Sequence, residues 1–109
     1  MTHLDVIRMV GNVLTEIDVT VGSLMPGDPD MVVLQDLRRL LDSRQLTLSR
    51  QVFDENTARF QEAAARLRAV NADIEGTIRR IDDMAAVIQN VTRFLDAVTS
   101  FMTTIGAFG

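Results

Sequence analysis

The sequence predicts an all-α protein: a helical hairpin with a long C-terminal coiled-coil helix, assembled into an oligomeric helical bundle. Three observations carry this expectation. Near the start, Ile7, Val10, Leu14, Ile17, Val21 and Leu24 repeat at alternating spacings of three and four, the pattern of one helix face. From Leu46 onward, Leu46, Phe53, Phe60, Leu67, Ile74, Ile81, Ile88, Leu95 and Met102 fall at every seventh position, a heptad seam. One strong turn signal, Met25-Pro26-Gly27-Asp28-Pro29, separates the two patterns. A chain of 109 residues has the length of one domain. Folded alone, such a chain hides only about two thirds of its unfolded surface, so help from a partner is expected.

The first helix is expected over residues 2 to 24. Thr2 with Asp5 makes a capping box at its start. Gly11, Gly22 and the β-branched run Val19, Thr20, Val21 lower its intrinsic propensity, so packing must hold it. Residues 25 to 29 form the turn, because proline cannot continue a helix and Asp28 followed by Pro29 is a cap and first-turn pair for the next one. The second helix is expected over residues 29 to 42, with Val33, Leu34, Leu37, Leu40 and Leu41 on one face and Arg38, Arg39 and Asp42 toward water.

The third and longest helix is expected over residues 46 to 105. With the seven-residue series as position a, the d positions are Ser49, Asn56, Ala63, Val70, Thr77, Met84, Val91, Val98 and Ile105, so the seam becomes more apolar toward its end. The two registers are offset by two residues, which predicts a kink or short break within Asp42 to Gln45. No proline follows Pro29, and Gly76 falls at an exposed c position, so one continuous helix on the order of 90 Å long is expected. The first two helices could cover only about 60 Å of it, and the remainder of the seam calls for another copy of the chain.

The residue inventory narrows the chemistry. There is no Cys, which removes disulfides, thiolate nucleophiles and thiolate metal sites together. His3 is the only histidine and is expected in a solvated terminus, so a triad or a two-histidine metal site is not available within one chain. The acidic pairs Asp54 with Glu55 and Asp82 with Asp83 straddle exposed positions and lack a loop-type ligand set. No catalytic residue, no cofactor and no metal is therefore expected. The net charge of −4 repels phosphate backbones, and no nucleic-acid partner is expected. All 11 basic residues are Arg, a usage that points to a GC-rich bacterial genome.

The g positions change from Arg59, Arg66, Asp73 and Arg80 to Val87, Phe94, Phe101 and Phe108, which widens the apolar face near the carboxyl end. Phe94, Phe101, Ile105 and Phe108 are accordingly the expected contacts to another copy or to another helical protein. Asn56, polar at a core position, is the expected register-setting residue. The function this suggests is a non-catalytic oligomerising interaction module, such as an adaptor, regulator or assembly subunit. The alternative is a membrane-active protein that lays its Phe-rich carboxyl helix on lipid. The stretch Ala97 to Gly109 holds Thr99, Ser100, Thr103 and Thr104 and is too short to span a bilayer. Asp5 and Arg8 interrupt what would be a signal peptide's apolar core, so a cytoplasmic protein, or one exported by a leaderless route, is expected. Length, helical content and the Pro-Gly turn resemble the small helical-hairpin proteins that bacteria export. The chain has no Trp for the Trp-x-Gly turn of that family, and no family is assigned.

Overall fold

The computed structural model describes residues 1–51 and 54–105. Among them are four α-helices and no strand: α1 (His3–Gly22), α2 (Pro29–Arg50), α3 (Ala58–Glu75) and α4 (Met84–Thr104), the last entered through a 3-10 turn at Ile81–Asp83.

The helix starts follow from local chemistry. The Thr2 side chain accepts from the Asp5 amide and the Asp5 carboxylate accepts from the Thr2 amide, the reciprocal capping box expected for α1. Asp28 caps α2 through the Asp30 amide, with Pro29 in the first turn, and Gly27 just before it takes φ +85, where a side chain is disfavoured. Both features match the predicted turn.

Beyond Leu41 the structure departs from the sequence reading. No break occurs within Asp42 to Gln45, and α2 runs on to Arg50. Leu34, Leu41 and Leu48 are all fully buried, while Leu46, taken as the first a position, is 51% exposed. The register of α2 therefore persists, because Leu48 continues the same buried stripe two heptads after Leu34.

The expected continuous helix over 46 to 105 is instead divided twice. The first division lies between α2 and α3, where Gln51 is extended and Thr57 caps α3 through the Phe60 amide. Asn56, assigned above to a core d position, is exposed in this connection, and its amide donates to the Asp54 carboxylate. It occupies a turn that leads into α3 and not the helical core position expected of it.

The second division is at Gly76. Ile81, assigned to the seam, is 48% exposed in the turn, and Asp83 caps α4 by accepting from the Ala86 amide. Folding back lets α4 cover α3, with the rings of Phe60 and Phe101 edge to face at 5.6 Å. The molecule is 44 Å along its longest axis, about half of what an unbroken helix would need.

Side-chain links define the layout. Asp18 with Arg38 and the Ile7 carbonyl with Gln45 make α1 and α2 antiparallel. Asp73 with Arg93 and Thr77 with Asn90 make α3 and α4 antiparallel. Met1 meets Gln61 at one end and Glu16 meets Arg79 at the other, so α1 and α3 run the same way, and hence α2 and α4 do too. Backbones approach most closely between α3 and α4, α1 and α2, and α2 and α4, so two hairpins stack with α2 against α4. A Cβ at Gly11 would meet the side-chain nitrogen of Gln45 at 3.0 Å and crowd its hydrogen bond to the Ile7 carbonyl.

The core is made of Val10, Val13, Leu14 and Ile17 of α1, the Leu34, Leu41 and Leu48 stripe, Phe60, Ala64, Leu67 and Ile74 of α3, and the wide face of α4. Thr20 is the buried polar residue among them, and its hydroxyl donates to the Ile78 carbonyl at 2.6 Å, joining the end of α1 to the chain just after α3. Thr20→Val keeps the shape but removes this donor to a buried carbonyl. A loss of about 1–2 kcal/mol in urea unfolding is expected, with Thr20→Ser closer to the parent.

Candidate interaction surface

The residues expected to face a partner are mostly inside the chain. Phe94 is fully buried and Phe101 is 2% exposed, so both rings are covered by the chain's own helices and offer no surface to another molecule. Ile105 is half-buried and packs against the same core. Phe108 lies outside the described residues. The physical reason is the return of α4 onto α3: a face this apolar is buried by the nearest available helix, and the turn at residues 76–83 supplies one from the same chain. On α4 the seam is centred on Met84, Val87, Val91, Phe94, Val98 and Phe101, that is on the d and g positions, and Ile88 at a is displaced to its edge.

The exposed apolar residues are elsewhere. Of the eight large apolar side chains exposed among the described residues, four are on α2: Val32, Val33, Leu40 and Leu46. Val33, Leu37 and Leu40 follow one another at helical spacing along α2, on the side away from α1. Leu37 is half-buried, while Val32, Val33 and Leu40 are 60%, 41% and 44% exposed. Arg39 and Asp36 sit beside them, paired at 2.8 Å and both open to water. Sequence reasoning placed Val33 and Leu40 on the buried face together with Leu34 and Leu41. Val33, Leu34, Leu37, Leu40 and Leu41 are five apolar positions within nine residues, and Val33 and Leu40 lie at the edge of that face, where the neighbouring helices leave them open.

Two forked ion pairs lie elsewhere on the surface. Arg38 grips Asp18 with two hydrogen bonds of 2.6 and 3.1 Å, and Arg79 grips Glu16 with two of 2.6 and 2.8 Å. The hydrogen bond donated by Arg79 holds the Glu16 carboxyl below its ordinary value, and the one that Arg38 donates to Asp18 raises the pKa of the Arg38 guanidinium. A cleft of about 480 Å³ lies between α1 and the end of α3, lined by Asn12, Thr15, Asn71 and Glu75, with the Glu16 and Arg79 pair at its edge.

The groups weighed as metal ligands or catalysts have structural partners. Asp54 accepts from the Asn56 amide, Asp83 caps α4, and Arg80 reaches Asp82 at 3.4 Å. His3 is not in a solvated terminus as expected. Its amide donates to the Glu55 carboxylate and its ring Nε2 lies 2.6 Å from the Leu48 carbonyl oxygen, tying the start of α1 to the end of α2. Among the described residues, no three His, Asp or Glu side chains are gathered closely enough to hold a metal ion. No described helix is long and apolar enough to cross a membrane. In comparisons with known proteins, no family model, no curated protein and no solved structure matches this chain.

Two outcomes follow for the folded chain. Phe101→Ala removes a buried ring and should cost about 3 kcal/mol or more in urea unfolding, while Arg66→Ala, exposed on the neighbouring helix, should cost under about 0.5 kcal/mol. Because the Glu16 carboxyl is depressed in the folded state, its contribution is full above the ordinary glutamate value and fades as pH falls through the lower folded value. Glu16→Gln should therefore lower the melting temperature slightly at neutral pH, leave it nearly unchanged at acid pH, and so flatten the acid limb of the curve.

Proposed function

We propose that this protein is a non-catalytic helical interaction module that self-associates and serves as an adaptor, regulator or assembly subunit. The observation that carries this reading is the apolar stripe of Val32, Val33 and Leu40 left open on α2, in a chain whose described aromatic rings, Phe60, Phe94 and Phe101, are buried. An apolar strip rimmed by charges is the usual form of a protein-binding patch. The non-catalytic part rests on the residue inventory: the chain has no Cys, and its one histidine is engaged with the Leu48 carbonyl. The surface differs from the one the sequence suggested, because the Phe-rich face of α4 is already occupied by α3.

The membrane-active alternative requires α4 to leave the bundle and present Phe94 and Phe101 to lipid. That step exposes the most apolar part of the core, and the polar side of α4 has no Lys and only Arg93 to draw it to anionic headgroups.

Light scattering during gel filtration, run over a range of concentrations, tests the reading. The expected result is a mass that rises from one chain toward a defined oligomer. A single-chain mass at every concentration, with helicity retained, would overturn self-association. Flotation with anionic liposomes should leave the intact protein unbound; strong co-flotation that is lost on deleting residues 94–109 would favour the membrane reading instead.

A further inference from the structure

Helices α1 and α3 are tied together at both ends and stand apart between, and two arginines face that gap without a carboxylate. The geometry points to a binding site for a small dianion, a phosphate group or a dicarboxylate, held between Arg8 and Arg68 with the side-chain amides of Asn12 and Asn71 beside it. The site does not depend on self-association.

The level of each residue follows from helix geometry. α1 and α3 run the same way, and Met1 and Gln61 are hydrogen-bonded to each other where the gap begins. Arg8 and Arg68 each lie seven residues beyond that pair, about 10 Å along their helices, so they stand level on opposite walls. Asn12 and Asn71 follow one turn further on the same two faces. All four line one cleft of about 400 Å³, which joins the larger cleft described above at Asn12, Asn71 and Glu75. That is room for a small ligand. Both arginines are exposed, so an ion reaches them from solvent without any opening of the bundle.

The bonding capacity of the walls is unspent. Among the described residues Arg8 and Arg68 make no ion pair and no hydrogen bond, whereas Arg38 and Arg79 each grip a carboxylate. The Asn12 amide is likewise without a partner, and Asn71 donates only to Glu75. Two acids also line the cleft. Asp5, one turn before Arg8, feels its charge but accepts from the Thr2 amide. Glu75 lies about 10 Å along α3 from Arg68. The middle of the cleft is therefore positive on a chain of net charge −4. Guanidinium forks match the oxygens of phosphates and carboxylates, and a dianion answers both arginines where chloride answers one.

Amide proton–nitrogen spectra of the full chain test the site, with sodium phosphate or sodium succinate added slightly above neutral pH and ionic strength held constant by sodium chloride. Saturable shifts centred on residues 8–12 and 68–71 are expected. Arg8→Gln or Arg68→Gln should weaken binding about tenfold or more, because each removes one charged fork from the anion. Arg66→Gln, exposed on the α4 side of α3, should bind as the parent does. All three positions are exposed, and circular dichroism should show unchanged helicity. Saturation by either salt supports the site, and a preference for one names the class of dianion. Shifts that grow without saturating for both salts, or an affinity undiminished when Arg8→Gln and Arg68→Gln are combined, would overturn it. The result reads the same on a single chain or an oligomer, so its failure leaves the interaction-module reading standing.

Discussion

The burial of the α4 face inside its own chain is the constraint on which the other features depend. Val87, Val91, Phe94, Val98 and Phe101 form a face too wide for one neighbour, and α3 and α2 flank it from two sides. The Phe60 and Phe101 rings meet at its far end. This demand brings α3 back along α4, and the sharp reversal at residues 76–83 answers it. Once the reversal exists, no long seam remains for another copy to cover, and the outward surface of the molecule is decided by what α2 has in excess.

Polar links fix how the two hairpins sit on each other. Thr20 donates into the buried Ile78 carbonyl at one end, with the Glu16 and Arg79 pair nearby. At the other end the amino terminus is held by Gln61, Glu55 and the Leu48 carbonyl. Exposed ion pairs add little stability individually. Their value here is alignment: α1 and α3 are joined at both ends by directional bonds, while the cleft between them stays open. The apolar contacts hold the bundle together without specifying register along its axis, and these bonds specify it.

Surface and core trade places along α2 in an instructive way. Leu34, Leu41 and Leu48 keep a strict seven-residue stripe against the core, and every one is fully buried. Val33 and Leu40 precede two of them by one residue, which on a helix rotates them about 100° out of that stripe. Their exposure is therefore set by geometry, and a patch of this kind adds nothing to the stability of a single chain. The paired Asp36 and Arg39 beside it keep its rim soluble.

The sequence by itself determined the all-helical class, the first hairpin and its caps. Those are local: Thr2 with Asp5, and Asp28 with Pro29, act within one turn of helix and need no distant neighbour. It also determined which face of α3 is apolar, since Phe60, Leu67 and Ile74 are buried as the heptad spacing requires. Only the tertiary structure decided whether that spacing meant one helix or two. A repeat of seven places Ile74, Ile81 and Ile88 identically in a straight helix and across a reversal, because periodicity records position along the chain and not direction in space. Local signals of the breaks were present in Asp54, Asn56 and Thr57, and in Gly76 with the charged run before α4, but each is compatible with a solvated helix face. The same limit applies to Phe94 and Phe101, which are buried: residue type marked them as sticky, but whether a sticky residue faces a partner or its own core depends on which helix returns to cover it.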